Sequence, residues 1–240
     1  MISHSFTFHS DFTLLGRLPV FPESAIRDEP SLRGCPPDWA LQHGGPIMRA
    51  FVKTLPEAWL TDPSTRIRCK SAWLKKGWSG GHVGWHFDGL SSSRADGEED
   101  WIGGRVPGFE RISCNMGSNA PTRVIIGEMT LPAYPNGQPL LSLCHKHVEE
   151  AVAAGRVKVV AVEEGQVFVL NSSSLHTASP ATHEGWRMFF DANRHAEGLS
   201  PFPPVEDIYT EIMCDFQATT AREETLMAPY FPATPRCWLP

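Results

Sequence analysis

Short stretches that are rich in β-branched and aromatic residues recur along the middle of the chain, with turn residues between them. Long stretches with helical periodicity are scarce, so the pattern favours short strands joined by many turns over a helical bundle. The predicted strands are residues 67–73, 111–116, 123–127, 157–162, 166–171 and 186–191. A short Glu-Glu-Gly turn separates the fourth of these strands from the fifth, which predicts that the two pair as a hairpin.

Few segments have the character of a helix. Residues 146–155 combine helix-forming residues with Gly155, which is placed to end a helix. Residues 17–65 are rich in proline and tryptophan, and we expect at most one short helix there, at 55–60. Near the C-terminus, residues 205–216 are also predicted to be helical.

The length of 240 residues fits a single domain. Within it we expect an N-terminal segment (1–66), a β-rich core (67–195) and a C-terminal extension (196–240) that wraps on the core. The interval 91–108 is polar and contains an acidic run followed by Trp101. A loop of this length inside a compact domain is usually functional, so we predict that it forms a lid over a site.

Composition and charge narrow the class of protein. Hydrophobic residues make up 41% of the chain and charged residues 20%, which is enough to bury a core and excludes a disordered tail. The net charge of −6 disfavours a nucleic acid or an anionic membrane as the partner, although Arg66, Arg68, Lys70, Lys75 and Lys76 leave a local basic groove as an alternative. No apolar run has the length of a membrane span and no signal peptide is evident, so we expect a soluble, cytoplasmic protein. The six cysteines are scattered without a Cys-x-x-Cys pair, which favours reduced thiols and disfavours a structural zinc site.

The most informative residues are the histidine and the aspartate of the run Trp-His-Phe-Asp-Gly at 85–89. On an extended strand, residues two apart point to the same face, so His86 and Asp88 can bind one metal ion together. The best third ligand is His176, which follows the predicted strand 166–171. Two histidines and one carboxylate leave three positions of an octahedron open, as non-haem Fe(II) oxygenases require. The His-Glu-x-x-His motif of zinc enzymes is absent.

An arginine lies eleven positions after this third ligand. Arg187 shares one face of the last predicted core strand with Phe189 and Asp191, while Met188 and Phe190 take the other face. A guanidinium that points into a barrel is costly unless it meets an anion, and its planar fork suits a carboxylate. A metal site with an inward arginine nearby is more informative than either feature alone.

The ordered set His86-x-Asp88, His176 and Arg187 resembles the Fe(II)/2-oxoglutarate-dependent dioxygenases, with a layout close to the phytanoyl-CoA hydroxylase-like group. The resemblance covers about residues 67–191, and the strand before His176 resembles the penultimate core strands of that family. It implies a mainly β fold with a double-stranded β-helix (a jelly-roll, cupin-like core of two packed sheets) and flanking helices. It also implies that His86, Asp88 and His176 bind Fe(II), that Arg187 anchors the cosubstrate 2-oxoglutarate, and that dioxygen takes the remaining position.

The resemblance implies hydroxylation of a C–H bond in a small organic molecule, with succinate and CO2 as co-products. The family has no fixed second contact to 2-oxoglutarate, and we expect Arg111 and Thr122 to supply it. Arg111 and Asn115 share the polar face of a predicted strand whose other face is apolar, and Thr122 begins the next strand. Trp85, beside the metal ligands, and Trp101, in the predicted lid, are expected to contact the substrate.

Several alternatives stay open at this point. A protein or a nucleic acid is an alternative substrate of such a dioxygenase, and desaturation or ring closure is an alternative reaction. Halogenation is disfavoured by Asp88, because halogenases of the family lack the carboxylate ligand. The chain is alternatively a non-catalytic, cupin-like binding module. His82 and the run Cys-His-Lys-His at 144–147 are rival metal ligands. Nothing in the sequence indicates the oligomeric state.

Overall fold

The computed structural model of the chain describes residues 5–80, 84–88, 109–117, 119–132, 140–194 and 208–209. The strands are β1 (Phe6–Ser10), β2 (Thr13–Arg17), β3 (Ser31–Cys35), β4 (Arg66–Leu74), β5 (Glu110–Met116), β6 (Thr122–Leu131), β7 (Lys158–Ala161), β8 (Gln166–Asn171), β9 (His176–Ala178), β10 (Gly185–Arg194) and β11 (Ile208–Tyr209). The helices are α1 (Glu23–Asp28), α2 (Pro37–His43), α3 (Pro46–Val52), α4 (Glu57–Leu60) and α5 (Leu140–Ala153). None of these helices has the length and hydropathy that a membrane span requires.

The strands form two antiparallel sheets. The larger sheet has the order β11-β3-β4-β10-β5-β8-β2, and the smaller sheet has the order β1-β6-β7 with β9 also paired to β6. The protein is therefore mainly β, as the pattern of short β-rich stretches predicts. The six strands predicted from the sequence correspond to β4, β5, β6, β7, β8 and β10.

The large sheet has one apolar face and one polar face at its centre. On β5 and β10, alternate residues pack with α2 and α3 into the first core, where the ring of Phe190 stacks on that of Phe51 at a centroid distance of 5.2 Å. The intervening residues of both strands, Arg111 and Arg187 among them, point to the opposite side, which we call the inner face. The two-residue period of a strand thus gives one pair of strands both a core and a polar site. This division confirms the two faces predicted for both strands.

The hairpin predicted for residues 157–171 is wrong. β7 pairs with β6 in the small sheet, whereas β8 pairs with β2 and β5 in the large sheet. The short turn between them takes the chain from one sheet to the other. Val162, directly after β7, packs with Phe168 and Leu170 of β8 in a small apolar cluster, so burial of these side chains favours the crossing over continued pairing.

The N-terminal region contains more helix than predicted. Prolines stand at the first position of α2 and α3 and directly before α1 and α4. Proline is favoured at a helix start because the first helical N–H groups have no partner in the helix. Residues 17–65, where the sequence predicts at most one short helix, therefore contain prolines that stand at the starts of four helices. The helix predicted at 55–60 is α4, and the helix predicted at 146–155 lies within the longer region of α5 and the turn after it.

A buried carboxylate fixes one of these helices. Glu29 is almost fully buried, and its two oxygens accept the backbone N–H groups of Ile47 and Met48, each at 3.0 Å. These groups belong to the first turn of α3, whose N-cap residue Gly45 has no side chain to cap them. Burial raises the pKa of Glu29 despite these backbone hydrogen bonds.

The C-terminal prediction is corrected at two positions. Residues 208–209 form strand β11, which pairs with β3 at the edge of the large sheet, instead of belonging to the helix predicted at 205–216. The open edge of β3 offers unpaired backbone groups, and pairing there satisfies them. The predicted lid 91–108, with Trp101, and the remainder of the predicted extension after residue 194 lie outside the described residues, as does His82.

Candidate metal centre

Two segments that are ninety residues apart bring the candidate ligands together. His86 and His176 exchange two backbone hydrogen bonds of 3.0 Å, so the segment 84–88 lies beside the start of β9. This contact is an isolated bridge rather than part of a longer strand, but it still places His86 and Asp88 on one side. One ligand atom from each of His86, Asp88 and His176 lies within 4.8 Å of the others. Among the described residues this is the sole group of three or more such side chains close enough to share an ion.

Backbone carbonyls set the tautomers of both histidines. Nδ1 of His86 is 2.8 Å from the carbonyl oxygen of Gly84, and Nδ1 of His176 is 3.0 Å from that of Ser174. Because a carbonyl oxygen only accepts hydrogen bonds, each Nδ1 carries the proton. The lone pair of each neutral ring is then on Nε2, and a metal-binding histidine is commonly oriented by such a bond from its other nitrogen.

The spacing of the acceptor atoms fits a shared divalent ion. Nε2 of His176 lies 3.1 Å from Oδ2 of Asp88. When the ring carries its proton on Nδ1 alone, these are two acceptors, and a metal ion between them would satisfy both. Two adjacent ligands about 2.1 Å from one octahedral ion are about 3.0 Å apart, close to the distance seen here. The donor set of two imidazoles and one carboxylate is that of a metal ion with open coordination positions.

Arg111 lies at this cluster, and its contact with the cosubstrate stays a prediction. It donates from Nη1 to Asp88 and from Nη2 to Asp191. Burial opposes the charge of Asp88, but the guanidinium of Arg111 favours it, and the pKa of that carboxyl lies well below its ordinary value. Burial also opposes the charge of Arg111, yet the two carboxylates raise its pKa above its ordinary value. The guanidinium of Arg111 therefore stays charged and pairs with the carboxylates of Asp88 and Asp191.

Arg187 is a buried cation with a different set of partners. It is 4% exposed, and it donates to the carbonyl oxygens of Ala120 (2.8 Å) and Gly80 (3.4 Å) and to the amide oxygen of Asn115. In the described part of the chain, no carboxylate oxygen lies within 4.0 Å of its nitrogens. Burial lowers the pKa of Arg187 to about 10, so the side chain stays charged at neutral pH. Contacts to described residues use three of its five N–H groups, so two have no partner among those residues and could bind an anion.

Side chains of the inner face connect these two arginines. The amide of Asn115 accepts from Arg187 and donates to Oγ1 of Thr122 at 3.0 Å, so the predicted cosubstrate contact Thr122 lies in the Arg187 network. The ring of Phe189 lies under both guanidinium groups, with its centre 4.9 Å from Cζ of Arg111 and 5.5 Å from that of Arg187. No role was predicted for Asn115 or for Asp191, although the two-residue period placed both on the inner face.

Trp85 is a core residue rather than a substrate contact. It is 1% exposed and packs with Phe87 in the second core, on the side of the segment away from His86 and Asp88. Its indole N–H points to Glu149 on α5 at 3.3 Å. The alternation that directs the ligands to one side directs Trp85 to the other, so its prediction as a pocket residue is corrected.

The rival ligand run at 144–147 does not reach the cluster. Its described members lie on α5, where His145 is buried and His147 is 3.2 Å from Glu150. On a helix these two histidines, two positions apart, do not share a face. Burial lowers the pKa of His145.

Comparisons with known proteins give only distant matches. No protein-family model matches the chain, and no curated protein matches it in sequence. Among solved structures, AviO1 from Streptomyces viridochromogenes Tue57 is 15% identical over 81% of this chain and 94% of its own, with a TM-score of 0.40. HygX from Streptomyces hygroscopicus with iron bound is 13% identical over 90% of this chain and 89% of its own, with a TM-score of 0.38. A third match is an N-substituted L-amino acid dioxygenase from Burkholderia ambifaria AMMD in complex with alpha-KG, which is 14% identical over 54% of this chain, with a TM-score of 0.31; the chain spans 49% of that protein. Likeness at this level carries no argument about function, which must come from the site itself.

Proposed function

We propose that this protein is an Fe(II)- and 2-oxoglutarate-dependent oxygenase that hydroxylates a C–H bond of a small organic molecule. One observation carries the proposal: a two-histidine, one-carboxylate cluster lies on the same inner face as Arg187, a buried cation without a carboxylate partner among the described residues. The cluster fits Fe(II) with open positions, and Arg187 fits the carboxylate of a cosubstrate. The two antiparallel sheets fit the jelly roll that we propose as the fold.

Each residue has a role that follows from its contacts. His86 and His176 would hold Fe(II) through Nε2, because their Nδ1 atoms donate to backbone carbonyls. Asp88 would supply the carboxylate oxygen. Bound Fe(II) would couple reduction of dioxygen to oxidative decarboxylation of 2-oxoglutarate, which yields succinate, CO2 and the hydroxylated product.

The Arg187 end of the inner face would orient the cosubstrate. The two N–H groups that have no partner among the described residues match the two oxygens of a carboxylate, so Arg187 would bind the C5 carboxylate of 2-oxoglutarate as a bidentate pair. Asn115 fixes the guanidinium from one side, and Thr122 fixes Asn115. Because Arg187, Asn115 and Thr122 are all buried, the pair would form out of water, where charge-assisted hydrogen bonds are stronger.

The contacts of the basic residues favour a small molecule over a nucleic acid. Arg68 is bound to the buried Asp191, and Arg66 donates to the carbonyl oxygens of Pro63 and Thr65. Two of the five cations that made a basic groove an alternative therefore have partners within the protein. Weak, salt-independent retention on DNA and RNA is the expected result for the purified protein.

Succinate formation is the direct test. Purified protein with Fe(II), 2-oxoglutarate and dioxygen should release succinate, and omission of any one of the three should stop the release. His86→Ala and His176→Ala should abolish it, while the control His9→Ala, at an exposed position of β1, should keep it. Slow uncoupled turnover needs no substrate, and the succinate that it releases is sufficient for the assay.

A binding measurement separates an enzyme from a non-catalytic module. Under anaerobic conditions with saturating Fe(II), 2-oxoglutarate should bind to the wild-type protein and not to Arg187→Leu. A cupin-like binding module would bind the metal ion but show no dependence of 2-oxoglutarate binding on Arg187. That outcome, together with no succinate, would contradict the proposed function.

A further inference from the structure

Arg111 connects two carboxylates from different parts of the chain. Its Nη1 donates to Asp88 in the segment 84–88, and its Nη2 donates to Asp191 on β10 at 2.6 Å. The side chain is 6% exposed, and its Cζ lies 4.9 Å from the centre of the Phe189 ring. Enclosed in this way, the guanidinium has both terminal nitrogens committed to carboxylates.

Asp191 is itself held by three side chains. It is fully buried, and its oxygens accept from Nε of Arg68 at 2.7 and 2.8 Å, from Nδ2 of Asn193 at 2.5 Å, and from Arg111. Charge-assisted hydrogen bonds to a buried carboxylate are strong, and several of them fix its orientation. Asp191 therefore provides a rigid anchor for Arg111, at a place that the two-residue period of β10 makes inward-facing.

The metal ligand Asp88 needs such an anchor. It lies two residues beyond His86, whose isolated bridge to His176 is the last backbone pairing of the segment 84–88. Arg111 donates to Oδ2, the same oxygen that faces Nε2 of His176, and so restricts the carboxylate to one orientation. A ligand set that keeps three coordination positions open needs a carboxylate that binds through one oxygen, and outer partners of this kind orient metal ligands in many sites.

We infer that Arg111 is a positioning residue for Asp88, and that the buried carboxylate of Asp191 keeps Arg111 in place, a role that rests on the proposed metal site but not on 2-oxoglutarate. The sign of one effect distinguishes positioning from simple electrostatics. A cation beside the site repels a divalent metal ion, so if Arg111 acted by its charge alone, its removal would tighten metal binding. If Arg111 positions the ligand, its removal weakens metal binding.

Binding of Co(II) to the metal-free protein, followed by visible absorption and calorimetry without 2-oxoglutarate, tests the inference. Arg111→Gln and Asp191→Asn should each weaken Co(II) binding by about 10- to 100-fold, the usual effect of losing an outer partner of a metal ligand. Arg111→Lys keeps the charge but has no fork to join two carboxylates, so an intermediate loss is expected. The matched control is Arg194→Gln on β10, which removes an ion pair with Glu110 and should leave the affinity within about twofold.

Every outcome of this experiment is decisive. Unchanged or tighter Co(II) binding by Arg111→Gln would overturn the positioning role and leave the proposed metal site intact, while a wild-type protein that binds no Co(II) would overturn both. Normal metal affinity with weaker 2-oxoglutarate binding at saturating Co(II) would make Arg111 a cosubstrate contact instead. If Arg111→Gln does not fold, the double variant Arg111→Met/Asp191→Leu removes both buried charges, and it should show the same loss; wild-type affinity in that variant would overturn the inference.

Discussion

Arg187 and Arg111 are equally buried arginines on the same face of the large sheet, but within the described residues only Arg111 is bound to carboxylates. Replacing each by methionine, which preserves most of the volume, should therefore have very different effects on the stability of the metal-free, ligand-free protein. Arg187→Met should change the free energy of unfolding by no more than about 1 kcal/mol, whereas Arg111→Met should lower it by about 3 to 5 kcal/mol.

The magnitude for Arg187 follows from its burial. A fall in its pKa from 12.5 to about 10, at about 1.4 kcal/mol for each pKa unit, means that the buried charge costs about 3 kcal/mol. Methionine removes this cost, but it leaves the carbonyl oxygen of Ala120 and the amide oxygen of Asn115 without their donor. Each lost partner costs about 1 to 2 kcal/mol, so the two effects nearly cancel. For Arg111, methionine also removes a desolvation cost, but it leaves Asp88 and Asp191 without their shared cation, and the raised pKa of Arg111 indicates that this loss is the larger effect.

Urea unfolding at pH 7 with a chelator present measures both effects, and similar m-values would show that the unfolded states are comparable. A second measurement, with saturating metal ion throughout, should show that 2-oxoglutarate at 100 times its Kd raises the free energy of unfolding further, by about 2.7 kcal/mol, for the wild type and not for Arg187→Met. A loss of 3 kcal/mol or more in Arg187→Met would refute the reasoning, because it would mean that Arg187 has a structural anion within the protein.

Two further substitutions test the scaffold. Glu29→Gln should lower the free energy of unfolding by about 1 to 3 kcal/mol, because an amide offers one acceptor to the N–H groups of Ile47 and Met48 in place of two. The pKa of Glu29 is raised in the folded protein, so its protonation stabilises the fold fully below pH 4.5, and this contribution is lost as the pH rises. The difference in free energy of unfolding between the wild type and Glu29→Gln should therefore shrink above pH 4.5 in urea unfolding. A difference that grows with pH would contradict this. Gly117→Ala should lower the free energy of unfolding by more than about 2 kcal/mol, because φ is +92° and the added Cβ would clash with the carbonyl oxygen of Trp186. The control Gly155→Ala, at φ +67° with open space around the added Cβ, should lower it by about 1 kcal/mol in the same assay.

The period of the strands accounts for the part of the site that the sequence predicts well. Alternation along β10 placed Arg187 and Asp191 opposite Met188 and Phe190, and alternation along the segment 84–88 placed two candidate metal ligands on one side. The same alternation also places Trp85 on the apolar side of its segment, in the second core. Inward-facing polar residues can therefore be found from local pattern alone.

The partners of those inward residues depend on pairing between distant strands, which no local pattern contains. Arg111 meets Asp88 and Asp191 because β5 lies beside β10 and because a bridge to β9 holds the segment 84–88 nearby. The hairpin prediction for residues 157–171 was wrong for the same reason, because a short turn does not determine whether the next strand stays in the same sheet. The prediction of at most one short helix in residues 17–65 was wrong for a different reason. The fixed φ of proline suits turns and the first turns of helices alike, and only the burial of α2 and α3 against the large sheet decides between them.

The charges of the inner face predict how metal ion and cosubstrate depend on each other. Asp88 and Asp191 carry two negative charges, and Arg111, Arg187 and the half-exposed Arg68 carry three positive charges, so the metal-free set has one positive charge in excess. A divalent metal ion alone adds two positive charges and a dianionic 2-oxoglutarate alone adds two negative charges, but together they leave this charge unchanged in a buried site where added charge is costly. Each ligand should therefore tighten the binding of the other by the same factor, on the order of 5- to 150-fold. Calorimetric titrations of 2-oxoglutarate with and without Co(II), and of Co(II) with and without 2-oxoglutarate, measure both factors; independent binding would show that the dianion does not lie between the metal ion and Arg187.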